Sequence, residues 1–112
     1  MVFSKLFAAL VFFAALPMSG LQAEDLVTYE ITLKGNAFTV AELKVPANKE
    51  FIIKLTNANA APAELEAKDL KIEKPVAGSA TIVVRAKAMP PGKYLFVDEY
   101  QEEAAKGYIV VE

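Results

Sequence analysis

Two acidic segments hold the side chains with which this chain could do chemistry. Glu64-Leu65-Glu66 places two carboxylates either side of one apolar residue, and Asp98-Glu99-Tyr100-Gln101-Glu102-Glu103 adds four more within a short span. Alternation along an extended segment puts Glu64 and Glu66 on the same side. Carboxylates gathered in one place repel one another, and a bound cation turns that clustering favourable. All-oxygen donors suit Fe(III), Mn(II), Ca(II) or Mg(II) far better than Cu(I). The candidate ligands are Glu64, Glu66, Asp98 and Glu99, against the plainer reading of solvated carboxylates. Glu102 and Glu103, with Lys93 and Lys106 nearby in sequence, read as an ordinary solvated surface.

What is missing narrows the function further. The 112 residues include no histidine and no cysteine. That removes the usual general base, the usual zinc and copper ligands, every thiolate site and every disulfide. The reading is therefore a binding protein and not an enzyme. With 12 Lys and Arg against 14 Asp and Glu, nucleic acid is not an expected partner. Met89 and the aromatics Tyr94, Phe96, Tyr100 and Tyr108 read as packing residues. Asn57, at the end of an apolar run, reads as a side chain that fixes the following loop through backbone hydrogen bonds.

The elements that must position these groups are strands. Val27, Tyr29, Ile31 and Leu33 alternate with polar neighbours up to the stop at Gly35-Asn36, and Phe51, Ile53 and Leu55 do the same in "EFIIKLTN". "SATIVVRAK" opposes Ile82, Val84 and Ala86 to Thr81, Val83, Arg85 and Lys87, and "GKYLFVD" and "KGYIVVE" add two more strands. "NANAAPAELEAKDL" between them reads as a long connection of low periodicity, and "EEAAKG" as one helical turn. Roughly six to eight short strands, with turn signals every ten or so residues, make an all-β antiparallel sandwich. The two acidic segments meet if the loops after Asn57 and Val97 leave the sandwich from the same end.

Before the first strand, "MVFSKLFAALVFFAALPMSGLQA" has one lysine, an uncharged apolar run and a small-residue end at Ala23. This is the layout of a secretory signal peptide, too short in its apolar part for a comfortable membrane span. Residues 1–23 are expected to be removed, leaving residues 24–112 as one periplasmic domain without membrane insertion.

The order "FTVAELKVPANKEFIIKLTNANAAPAEL", "MPPGKYLFVDE", "AKGYIVVE" resembles the cupredoxin-like domains of bacterial periplasmic proteins, which implies a Greek-key sandwich. The resemblance places that family's copper ligands at Ala63, Asp98, Gln101 and Ala105, so it implies no type 1 copper here. Glu64-Leu65-Glu66 followed by "DLKIEKPV" is similar to the cupredoxin-like components of bacterial iron-uptake systems. That likeness implies iron, more than copper, as the bound metal. It implies an iron-uptake permease or a periplasmic iron-binding protein as the partner. Two other readings stay open: an interaction module whose metal site has decayed, and a partner in periplasmic ferrous-iron oxidation or copper handling.

Overall fold

The computed structural model describes residues 26–112 and shows nine strands in two facing sheets. The expected leader and its cleavage point lie outside the described residues. In chain order the strands are β1 (Thr28–Lys34), β2 (Ala37–Phe38), β3 (Glu42–Val45), β4 (Phe51–Asn57), β5 (Ala63–Ala67), β6 (Ile72–Val76), β7 (Thr81–Ala86), β8 (Gly92–Asp98) and β9 (Lys106–Val111). One sheet runs β2-β1-β4-β7 and the other β3-β9-β8-β5-β6. Among the described residues no helix is long and apolar enough to cross a membrane.

The all-β sandwich expected from alternation is what forms, with two differences. Nine strands replace the expected six to eight, because the two-residue β2 and the segment Ala63–Ala67 both join sheets. In addition, β1 pairs with β4, and β3 with β9, in parallel. The chain leaves the first sheet after β2, crosses to the second as β3 and returns as β4, so neighbours in space are not neighbours in sequence. Such crossovers permit the parallel pairings that hairpins alone forbid.

Between the sheets the inward residues read from the sequence pack as one core. Ile31, Leu33, Phe51, Ile53, Leu55, Val84, Ala86, Phe96 and Ile109 are all buried in it. Met89 joins them as expected. Tyr29 meets Phe51 edge-on at 5.9 Å between ring centres, and Phe38 meets Phe96 at 4.9 Å, the offset geometry aromatic rings prefer. Tyr94 packs against the core, whereas Tyr100 is 61 % exposed, so it does not pack as the sequence suggested.

Two polar devices at one end of the sandwich set the loops around the acidic residues. Asn57 is fully buried; its Nδ2 donates to the carbonyls of Ala61, Val76 and Ala77, and its Oδ1 accepts from the Asn59 N–H. One side chain thus ties the β4–β5 loop to the end of β6, the role its strand-end position suggested. Gly35, in the left-handed region at φ +62°, exchanges two hydrogen bonds with the Asn59 amide and accepts a third from Gln101 Nε2.

Candidate metal centre

The connection after Asn57 becomes a strand because Ala63, Leu65 and Ala67 all turn into the core. Two alanines made that alternation faint in the sequence, since they carry little hydrophobic signal. Glu64 and Glu66 therefore stand together on the outer face of the sheet, the side expected for them. On one flank β5 pairs with β6, setting Glu66 opposite Glu73 and Glu64 opposite Pro75. On the other it pairs with β8, setting Leu65 opposite Asp98. A one-turn 3-10 helix, Glu99–Gln101, follows β8 directly.

Glu64, Glu73 and Glu99 converge: one carboxylate oxygen from each lies within 4.8 Å of the others. Glu99 Oε1 is shut off from solvent and has no hydrogen-bond partner. Burial raises the Glu99 carboxyl above the usual carboxylate range, and the charges of Glu64, Glu66 and Glu73 push it the same way. The Glu64 carboxylate likewise holds the Tyr100 phenol above its usual range, with burial adding to the shift. Of the four ligands expected from sequence, Glu64 and Glu99 are in this cluster, while Glu66 and Asp98 lie outside it. Glu73 is the member that sequence reasoning missed. Its one signal was alternation in "IEKPV", which sets Glu73 and Pro75 on the face opposite Ile72 and Val76, but only the hairpin register brings it beside Glu64.

Asp98 faces the other way. It is 2 % exposed, and both carboxylate oxygens are occupied by protein donors. Oδ1 accepts from the Glu64 N–H at 3.0 Å and the Tyr100 N–H at 3.2 Å, and Oδ2 accepts from Gln101 Nε2 at 2.9 Å. The first of these bonds pins β5 to the end of β8. The second caps the 3-10 turn that carries Glu99. One buried carboxylate therefore fixes the backbones from which Glu64 and Glu99 project. Glu102 and Glu103 are exposed, as a solvated surface requires.

Comparison with known proteins places this architecture. The profile of the cupredoxin-like domain matches residues 6–111. This chain belongs to the cupredoxin-like domain family. An uncharacterized protein of Rickettsia prowazekii (strain Madrid E) is 27 % identical over 88 residues, spanning 79 % of this chain and 70 % of that one. Auracyanin A, a blue copper protein of Chloroflexus aurantiacus, superposes with a TM-score of 0.68 at 20 % identity, covering 79 % of this chain and all of its own. The metal-binding domain of a Cu(I)-exporting P-type ATPase of Streptococcus pneumoniae superposes with a TM-score of 0.70 at 15 % identity, covering 79 % of this chain and 88 % of that one. At these identities the structural likeness speaks for the fold.

The residues of this cupredoxin-like chain do not fit a type 1 copper ion. Such a centre needs two imidazoles and a thiolate, and the sequence supplies neither group. The positions to which the sequence resemblance assigns those ligands hold Ala63 and Ala105, both buried, and the hydrogen-bonded pair Asp98–Gln101.

Proposed function

We propose that this cupredoxin-like chain is a non-enzymatic periplasmic binding protein that holds a hard cation through Glu64, Glu73 and Glu99. Glu66 adjoins that site and Asp98 positions it. The cargo is iron, held for or presented to an iron-uptake permease or another periplasmic iron-binding protein. The observation that carries the cation reading is the convergence of three carboxylates on one sheet face, one of them with a dehydrated oxygen that no donor meets. A buried carboxylate oxygen without a partner is costly, and a cation among the three supplies what the protein does not. The spacing suits the task. Oxygens on opposite sides of a Ca(II)-sized ion stand about 4.6–5.2 Å apart, and around a Mg(II)-sized ion about 4.0–4.2 Å. Three oxygens all within 4.8 Å of one another fall inside the span that a Ca(II)-sized ion can bridge. Choosing iron among these ions rests on the likeness of Glu64-Leu65-Glu66 and "DLKIEKPV" to iron-uptake components.

Calorimetric titration with an Fe(III) chelate, Mn(II), Ca(II) and Cu(II), on the wild type and on Glu73→Gln, tests the reading. Saturable binding of a hard cation that Glu73→Gln abolishes is the expected result. Binding unaffected by Glu73→Gln, or no binding of any ion above chelator controls, refutes it and leaves the family's other reading, an interaction module, with Tyr100 standing exposed at the loop end.

A further inference from the structure

Val97 breaks the rule that buried apolar residues face the core. Among the described residues it is the one buried apolar side chain that is not part of the central cluster. Alternation along β8 turns Phe96 inward and Val97 outward with Leu95, onto the sheet face that carries Glu66. There they line a groove of about 220 Å³, together with Glu66, Lys68, Asp69 and Glu102. Leu95 remains 42 % exposed.

The groove's size and lining specify its occupant. Pockets that hold small molecules or cofactors run from about 300 to 1,000 Å³, so this one takes something of side-chain size. Its apolar residues, Val97 and Leu95, call for a hydrocarbon stem, and its charged residues set three carboxylates against the single ammonium of Lys68. A long cationic side chain meets both demands at once, lying along apolar surface with its charge at the acidic edge. Arginine does so best, because its planar fork takes carboxylates in pairs. We propose that this groove docks a partner protein through an arginine in an extended basic segment. The stem covers Leu95, which lies beside the already buried Val97, and the guanidinium lies among Glu66, Asp69 and Glu102. The groove and the Glu64–Glu73–Glu99 cluster share no lining residue, and Glu66 stands between them.

The test titrates the metal-free protein with a blocked pentapeptide, Gly-Arg-Ser-Arg-Gly, at about 0.15 M salt, following methyl and amide NMR signals. Saturable shifts centred on the Leu95 and Val97 methyls are expected. Leu95→Ser and Glu102→Gln should each weaken binding about fivefold, the ratio that 1 kcal/mol produces. Both residues are exposed, so folding is preserved. Glu73→Gln, which removes a cation-site carboxylate that does not line the groove, should leave the peptide affinity within about twofold. That arm separates failure here from failure of the cation reading. Shifts scattered over all acidic residues, equal binding by Leu95→Ser, or loss of peptide binding in Glu73→Gln would each overturn the proposal in favour of diffuse charge attraction.

Discussion

Replacing Asp98 by alanine should loosen the end of the sandwich where the acidic residues meet. Three donors lose their acceptor: the N–H groups of Glu64 and Tyr100 and the Gln101 amide. Gln101 still reaches Gly35 and water, and Tyr100 is exposed, so these two losses are partly recovered. The Glu64 N–H, in the middle of a sheet, is not. An unsatisfied buried donor costs about 1–3 kcal/mol and a lost charge-assisted bond about 1.5–3 kcal/mol, so a total of about 2.5–6 kcal/mol follows. At about 4–8 °C per kcal/mol in a domain of this size, thermal unfolding should move down by at least about 10 °C. Asp98→Asn keeps the shape and one carbonyl oxygen for both N–H groups, and loses mainly the Gln101 contact. That is about 1 kcal/mol, or about 4–8 °C. Circular dichroism melts of the metal-free proteins measure both. A drop below about 4 °C for Asp98→Ala would show that the carboxylate does not hold the strands. Equal damage from Asp98→Asn would show that its charge, not its hydrogen bonds, matters.

Other perturbations test separate parts of the structure. Glu99 has a raised pKa, so the folded state binds its proton more tightly than the unfolded chain does. Its contribution is most favourable below the ordinary carboxylate range and is lost as pH rises through the raised value. Glu99→Gln should therefore stabilise the metal-free protein at neutral pH but scarcely near pH ~4, as denaturant titrations at both pH values would show; an equal difference at both would contradict it. Gly107→Ala should cost about 1–3 kcal/mol by overpacking, because its new Cβ would come 2.5 Å from the Phe96 ring, and a lowered urea midpoint checks this. Leu55→Ala, in the centre of the core, should cost about 2–5 kcal/mol, again read from urea unfolding. Arg85→Ala breaks the exposed pair with Glu50 and should cost less than about 1 kcal/mol, leaving the melting curve close to wild type.

Strands with strong alternation were legible in the sequence, because large side chains such as Phe51, Ile53 and Leu55 mark the buried face without help from neighbours. β5 was not, because Ala63 and Ala67 are too small to mark a face, although both are buried. The same weakness hid Glu73. Its place beside Glu64 depends on the hairpin between β5 and β6, which turns through a 3-10 helix at Lys68–Leu70 and a left-handed Lys71 that no turn motif announced. Asp98 was legible as an important carboxylate, but its direction was not. Outward or inward differs by one residue of register, and β8 runs its ladder so that Asp98 lies opposite inward-facing Leu65. Tyr100 came out exposed for a related reason: the capped turn begun at Asp98 ends the strand alternation that had suggested packing.

Pro75 has a consequence for how the molecule meets others of its kind. It lies in β6, the outermost strand of the larger sheet, between Lys74 and the terminal residue Val76. An open strand edge is a template for indiscriminate pairing, and a residue without an N–H, with charged neighbours, spoils that template. Glu73, Lys74 and Pro75 are all exposed along this rim. The rim that supplies Glu73 to the carboxylate cluster is thus closed to sheet extension. Recognition at this margin is left to side chains.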